Sequence, residues 1–378
     1  MLRALAVDLG ASSVRVAAVD LDAAPPTVEV LHRYAHRPVR HPDGTLRWGW
    51  EAIVAAVVEG LEHGLAQGPV ASIGIDAWGV DYGLLGADGR LVSAPFSYRD
   101  DRTAGWEEVA ARIGERRLYE LTGIQLMGIN TVFQLAAHDR RELDAAARLL
   151  TIPELLVHAL TGTEAAEETS AGTTALMDLR SHAWSEELLA GVGIDPALLP
   201  PIERAPRAAG TWRGVPVHLV AGHDTSSAVA ACPRDSEPAA FVSSGTWMIV
   251  GAERGEPDTS EAARAANFSN EPGAAGRICF LKNVMGLWML EQLLDRWGGG
   301  RDEIVAAASA VGADGPIVDA TDARFLAPED MEAEIRTASG LPASAGRDRV
   351  ARCVLDSLAA TAAAVIRELD GLLGAPVR

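Results

Sequence analysis

A carboxylate, an imidazole and three hydroxyls follow one another in Gly222-His223-Asp224-Thr225-Ser226-Ser227. An aspartate can accept a proton in a transfer reaction, and the histidine and hydroxyls can hydrogen-bond a polar ligand. The apolar stretch from Val215 to Ala221 reads as a buried strand, with a sharp turn at Gly222 and a helix opening at Asp224 or Thr225. In open α/β sheets ligands collect at the carboxyl ends of strands, where helix N-termini offer unpaired N–H groups. A plain helix cap by Asp224 or Thr225 would leave the same local pattern.

Two other groups of residues have chemical potential. Near the start, Asp8 precedes the small-residue turn Gly10-Ala11-Ser12-Ser13 between two apolar runs, LRALAVDL and VRVAAVDLD. This reads as a β-hairpin whose turn lets an oxygen anion approach backbone amides, or as a plain hairpin with a surface aspartate. In ASIGIDAWGVDYGLL, Asp76, Trp78, Gly79 and Asp81 interrupt an apolar stretch. An aromatic ring over glycine, flanked by carboxylates, suits a sugar, whose C–H face packs on the ring while its hydroxyls need acceptors. A half-exposed strand with alternating polar residues is the competing reading.

The elements that must position these groups can be read along the chain. A third strand is expected near Thr27–Tyr34, and Ile53, Val54, Val57, Val58, Leu61 and Leu65 mark a helix over Glu51–Leu65. A strand is expected after Ala71, followed by a hairpin closed at Ala87-Asp88-Gly89, and Pro153–Leu160 reads as a short helix. The cluster Tyr98–Thr103 reads as a solvated face or a salt-bridge network, and Glu167–Asp178 fits no regular element. Five prolines between Asp195 and Pro216 suggest a boundary, giving domains at 1–214 and 215–378. Ala239–Glu253 is again strand, small polar turn, strand, so VSSGTWMIVGAE echoes DLGASSVRVAAVD. Arg277–Leu294 runs from strand into amphipathic helix, Gly298 to Gly300 follow as its cap, and Asp348–Leu373 carries an apolar side over a long final helix.

Bulk properties narrow the function. With 378 residues, 48% hydrophobic and 22% charged, the chain is long enough for two cored domains. Its formal charge of −19 offers no field for nucleic acid or an anionic membrane, so an anionic ligand needs local help from amides or a metal ion. The three cysteines form no zinc spacing and suit a reducing cytoplasm. Asp8 interrupts the only early apolar run, so no signal peptide is expected, and no run of 18 apolar residues suggests a membrane span. Lys282 is the sole lysine, and without Gly-Lys-Ser/Thr there is no Walker A loop.

Taken in order, AVDLGASSVRV, SIGIDAWGVDYGLL, YRDDRT, NTVFQL, GHDTSSAV, SSGTWMIVGAE, NFSNEPG and LKNVMGLW resemble the FGGY carbohydrate kinases from Leu2 to about Leu373. The resemblance implies an α/β chain of two ribonuclease-H-like domains, of the actin-like ATPase class, around a cleft. It implies ATP-dependent phosphorylation with Mg²⁺, and the WGVD, GHDTSSAV and SSGTW blocks favour L-rhamnulose, at its 1-hydroxyl, over xylulose, ribulose, glycerol or fuculose. By resemblance Asp224 is the catalytic base. Ala11, Ser12, Ser13, Val14 and Arg15 form the first ATP-phosphate turn, with Thr246 in the second and Glu291 on ATP. Gly79, His223, Thr225 and Asn283 bind the sugar, and Asp8 helps hold the metal.

The chain departs from the family pattern in places. Val14 replaces Gly, Glu291 replaces Gln, and Pro272 and Met248 replace Gly and Ser in positions expected to reshape a rim. Relatives continue past the last helix into an adenosine-binding segment, so the second domain is expected to be truncated, exposing a sheet edge and the apolar side of that helix. Three readings stand at this point: an L-rhamnulose kinase, a kinase for a related ketose, and a non-catalytic sugar-binding protein. Monomer and dimer are both open.

Overall fold

A computed structural model describes residues 2–232 and 239–377. The chain forms two compact units, one of Met1–Ala231 with Arg254–Cys279, the other of Cys232–Glu253 with Phe280–Arg378. Among the described residues no helix is long and apolar enough to cross a membrane.

The first unit is built on a six-stranded sheet. Its strands are β1 (Arg3–Gly10), β2 (Ser13–Asp20), β3 (Thr27–Ala35), β4 (Ser72–Ala77), β5 (Arg207–Trp212) and β6 (Val215–His223), in the order β5-β6-β4-β1-β2-β3. The strands β1, β2 and β3 form an antiparallel meander, while β1, β4 and β6 run parallel. The carboxyl ends of three adjacent strands therefore open on one edge of the sheet. Along β1, Leu5, Val7 and Leu9 are buried and alternate with half-buried Ala6 and Asp8, the period-two pattern of a sheet with two unlike faces.

Helix α1 (Trp50–Ala66) packs on β2 and β3. Gly60 and Gly64 make the close approach possible, because a Cβ at Gly60 would lie 2.5 Å from Val16 Cγ2 and one at Gly64 2.6 Å from Leu5 Cδ1. Helix α2 (Ile152–Thr161) opens with Pro153 at its first turn, ends at the left-handed Gly162, and covers β4, β5 and β6. The short helix α3 (Glu168–Thr173) packs on β6, and α4 (Asp224–Ala231) follows β6 without a loop.

The second unit holds β7 (Ala240–Ser244), β8 (Trp247–Arg254) and β9 (Ile278–Met285), with β8 between its two neighbours. Four helices follow: α5 (Trp288–Trp297), α6 (Arg301–Ser309), α7 (Met331–Ser339) and α8 (Arg347–Leu373).

Four local expectations are changed or extended by the structure. No turn breaks the chain at Gly222; β6 continues to His223, with a register shift against β4 between Leu219 and His223. The strand Val215–His223, expected to begin a second domain, is an interior strand of the first unit's sheet. Tyr82–Leu85 pairs with Arg148–Thr151 in addition to the expected hairpin, whose turn is closed by Gly86 N donating to Arg90 O and Val92 N to Leu84 O, both at 2.8 Å, beside a Leu85–Leu91 bridge. The apolar side of α8 is covered: Val350, Val354, Leu358, Val365 and Leu369 are buried as the helix packs on α5, α6 and α7. Within the second unit those three helices supply the partner surface that a long amphipathic helix requires.

Replacing Gly60 by alanine forces a methyl group into the Val16 side chain. The expected outcome is a loss of roughly 1–3 kcal/mol of stability, read as a lower urea midpoint with an unchanged slope.

Candidate active site

Asp8, Asp76 and Asp224 come together at the carboxyl ends of β1, β4 and β6. Asp8 and Asp76 are direct neighbours in the parallel register, and His223 stands opposite Ala77, so Asp224 is the next residue along that edge. Burial, then the charges of Asp8 and Asp224, push Asp76 well above the ordinary carboxylate range, against an opposing pull from Arg15. Burial is also the main cause at Asp224, with Asp8 adding to it, and its pKa rises to about 7. About a third of the Asp224 side chain (34%) still reaches solvent, so the carboxyl is surrounded by protein without being closed off. Arg15 Nη1 donates to Asp8 Oδ2 at 2.5 Å across the β1–β2 ladder.

A network of buried polar groups holds the backbone leading into Asp224. Glu167 Oε2 accepts from Gly222 N at 2.9 Å, from Thr169 N at 2.9 Å and from Thr169 Oγ1 at 2.5 Å. Thr169 Oγ1 in turn accepts from His223 N at 3.1 Å. These side-chain acceptors take up the two amides where β6 shifts register against β4, so the irregularity leaves neither N–H without a partner. Gly222 must lack a side chain, because a Cβ there would lie 2.4 Å from Ser170 Oγ. Behind this clamp Glu154 accepts from Glu167 N and from Thr151 Oγ1; burial raises Glu154 to about 7 and raises Glu167 as well.

The expected site residues fall out as follows. His223 is buried between Asp224 and Glu271, with Nε2 3.5 Å from Asp224 Oδ1 and Nδ1 3.4 Å from Glu271 Oε2, and burial lowers its pKa. Thr225 is buried and both its N–H and its hydroxyl point to Asp224 Oδ1, at 2.6 and 3.3 Å. The turn Ala11–Ser12 is closed by the Gly10–Ser13 pair. Its carbonyls are tied down by His36, whose N donates to Ser12 O at 3.0 Å and whose Nε2 donates to Gly10 O at 2.9 Å. Burial lowers the His36 pKa to about 4, so the ring is neutral with its proton on Nε2, the tautomer that a carbonyl partner demands. Ser13 and Val14 are buried and lie within the β1–β2–β3 ladder, Ser13 opposite Gly10 and Ala35, Val14 opposite Leu9 and Tyr34.

Thr246, Asn283 and Glu291 belong to the second unit. Thr246 lies in the β7–β8 turn, whose carbonyls accept from the start of α5: Leu287 N to Gly245 O at 2.8 Å, and Trp288 N to Thr246 O at 3.2 Å. Gly286 allows this, since a Cβ would meet Trp247 C at 2.5 Å. Asn283 is half-buried on β9. Glu291 pairs with Arg301 at 2.9 Å, which neutralises the charge that would otherwise oppose an anion. Met248 and Pro272 are buried, the latter against Gly172, and so do not shape a rim.

Trp78 and Asp81 are structural, contrary to the sugar-facing reading. Asp81 is 1% exposed and its Oδ2 accepts from Trp48 Nε1 at 2.7 Å, Trp78 Nε1 at 3.0 Å and Tyr98 N at 3.2 Å. A buried carboxylate needs such donors, and the two indoles supply them, their rings tilted by 47° with centroids 4.5 Å apart. Gly79 is pressed on Thr173, and Val80 adopts φ +66°, a conformation costly for a β-branched residue. Thr173 Oγ1 accepts from Val80 N, and the Val80 carbonyl accepts from Thr131 Oγ1 at 2.6 Å and Gln134 Nε2 at 3.2 Å. Glu167, Thr169 and Glu271 have no role assigned from the sequence, and Asp76, read there as a sugar-facing carboxylate, instead stands beside Asp8 and Asp224. Asp76 could have been found from its register with Asp8 in a parallel sheet; the others carry no local signal.

Comparison with known proteins decides the family. A profile described as "FGGY family of carbohydrate kinases, N-terminal domain" matches residues 3–242, and the corresponding C-terminal domain matches residues 240–378. The chain belongs to the FGGY family of carbohydrate kinases. A protein named rhamnulokinase from Klebsiella pneumoniae subsp. pneumoniae is 39% identical over 98% of this chain and 79% of its own length. One of the same name from Pectobacterium carotovorum is 39% identical over 99% of this chain and 78% of its own length. Among solved structures, a gluconate kinase from Lactobacillus acidophilus superposes with a TM-score of 0.77 at 17% identity, covering 99% of this chain and 79% of that one. A glycerol kinase from Plasmodium falciparum, solved with ADP, gives 0.77 at 15% identity over 100% and 80%. The two-domain, actin-like architecture is thus that of the FGGY sugar kinases, enzymes whose family chemistry joins a sugar and ATP as substrates.

Glu167→Ala removes the acceptor that fixes the Gly222 and Thr169 amides. Each stranded buried donor costs about 1–3 kcal/mol. Turnover is expected to fall at least tenfold with the sugar KM changed by less than threefold, measured beside the melting temperature. An unchanged kcat in the folded variant would show that the clamp does not position Asp224.

Proposed function

We propose that the protein transfers the γ-phosphoryl group of ATP to the 1-hydroxyl of L-rhamnulose, giving L-rhamnulose 1-phosphate and ADP. The placement of Asp224 beside Asp8 and Asp76 at the ends of three parallel strands, next to His223 and Thr225, carries the reading of the site. The identity of 39% to proteins named rhamnulokinase supports the choice of ketose. A cytoplasmic setting agrees with three cysteines outside any disulfide, two of them buried.

In the proposed mechanism Asp224 accepts the proton of the sugar hydroxyl as its oxygen bonds to the γ-phosphorus. The bond from that phosphorus to the β,γ-bridging oxygen breaks, and ADP leaves with the electron pair. An ordinary aspartate, with a pKa near about 3.9, cannot ionise an alcohol beforehand; it serves by taking the proton late, when the attacking oxygen has become acidic. The raised pKa of Asp224 makes it a stronger acceptor. His223 and Thr225, both in contact with the Asp224 carboxyl, hold it in place, and in this proposal they meet the sugar with Gly79; Asn283 is proposed separately as a sugar contact of the second unit. In this proposal Ala11 to Arg15 bind ATP phosphate through backbone amides and hydroxyls; Thr246 and Glu291 are proposed separately as ATP contacts of the second unit.

The donor set at Asp8 and Asp76 consists of carboxylate oxygens, which fits Mg²⁺. That ion would neutralise phosphate charge, and it would also relieve the repulsion that adds to burial in raising Asp76.

Asp224→Ala is expected to lower kcat by roughly 10²–10⁴ with sugar affinity retained, measured by coupled assay and by calorimetry with L-rhamnulose. Unchanged turnover would remove Asp224 from the mechanism. A panel of ketoses tests the substrate: a strong preference for another ketose would replace L-rhamnulose. Sugar binding without any nucleotide binding would instead indicate a sugar-binding protein.

The pH dependence has a defined sign. Asp224 acts as a base only when deprotonated, and its pKa in the unliganded protein is about 7. The value of kcat/KM for the ketose is therefore expected to fall as pH drops below about 7. A profile flat from pH 8 to pH 5 would contradict the assignment.

A further inference from the structure

A second cluster of ligand-type side chains lies on the opposite face of the same sheet. His32, on β3, and Glu59 and His63, one turn apart on α1, bring two ring nitrogens and a carboxylate oxygen within 4.8 Å of one another. The face is fixed by the strand period. Leu5 and Val16 lie under Gly64 and Gly60 of α1, Val16 pairs with Val7, and Leu5 and Val7 alternate with Asp8. The cluster is thus separated from Asp8 and Asp76 by the sheet itself.

Three observations make this more than a surface coincidence. First, β3 bulges here: Val16 pairs with His32 while Ala17 pairs with Val30, so Leu31 is an extra residue that re-aims His32. Second, the Gly60 contact draws α1 so close that a Cβ would lie 3.0 Å from His32 Cβ, which sets Glu59 and His63 beside the ring. Third, His32 Nε2 is buried without a hydrogen-bond partner, and Nδ1 stands 4.0 Å from Glu59 Oε1, beyond hydrogen-bond distance. The rings of His32 and His63 meet edge to face at 5.8 Å.

We infer that His32, Glu59 and His63 bind a divalent transition-metal ion of the zinc class, which ties the outermost strand β3 to α1. Two imidazoles and one carboxylate suit such an ion and leave a fourth position for water, whereas Mg²⁺ prefers oxygen ligands. Tetrahedral bonds of about 2.0–2.1 Å need ligand atoms roughly 3.3 Å apart, closer than the present spread of up to 4.8 Å, and Glu59 and His63 are exposed side chains. The ion bridges a strand that has only one sheet neighbour, so its effect is on stability, not on phosphoryl transfer.

The test uses the full chain carrying Cys232→Ser, which removes the exposed thiol as a competing ligand, in saturating Mg²⁺. Calorimetric titration with ZnCl₂ is expected to give one equivalent bound at about 10 μM or tighter, with the melting temperature raised by several degrees. His32→Ala and His63→Ala are each expected to weaken binding at least tenfold and abolish that rise. His63 is exposed, so its variant folds even if that of His32 does not. Co²⁺ is expected to give visible absorption typical of tetrahedral nitrogen and oxygen ligation, lost in His63→Ala. Unchanged zinc affinity in His63→Ala, or no binding up to 1 mM, overturns the inference.

Discussion

Three like-charged carboxylates at the ends of neighbouring strands repel one another, and the architecture of the first unit answers that repulsion. Parallel pairing of β1, β4 and β6 leaves Asp8, Asp76 and Asp224 no means of separating without breaking the sheet. Burial first, and this proximity in addition, raise Asp76 and Asp224, and at Asp76 Arg15 opposes the shift from the adjacent hairpin strand. A resting site of this kind is poised for positive charge and for a proton. Both are what a phosphoryl-transfer reaction with an alcohol brings to it.

Holding Asp224 in that company depends on buried polar groups that serve the backbone. Glu167 and Thr169 take the amides of Gly222 and His223, where the strand leaves its register to enter α4. Asp81 does the same for two indoles and the Tyr98 amide, and His36 for the first turn's carbonyls. The β7–β8 turn has its carbonyls fixed by the start of α5. In both units a glycine- and serine-rich turn is thus stiffened through its oxygens, which is how a loop of small residues can present amides in one conformation.

The sequence made the main elements legible because their signals are local. The apolar runs of β1, β2 and β6, the helical spacing in α1, and the strand-turn-strand pattern of β7 and β8 all lie within short windows. So do the blocks around Gly10, Gly79, Asp224 and Gly245, which pointed to the family. What escaped was non-local. Trp78 and Asp81 looked like ligand-facing residues because nothing nearby in sequence shows that Trp48 and Gln134 return to enclose them. Glu167, in a stretch with no assignable period, is meaningful only through a backbone amide 55 residues away. Asp76 needed the register, which depends on which strands are parallel. The covered side of α8 required knowing that three helices of its own unit pack against it.

The first unit is discontinuous, and synthesis on the ribosome therefore meets it in two instalments. When Ala231 has emerged the sheet is complete, but Glu271 beside His223 and the Pro272 carbonyl that receives the Ser226 hydroxyl do not yet exist. The nascent chain must first release the β7–β8 hairpin, which belongs to the other unit, and then come back. Completion of the contacts made by His223 and Ser226 is thereby made to wait until a hairpin assigned to the other unit has been synthesised.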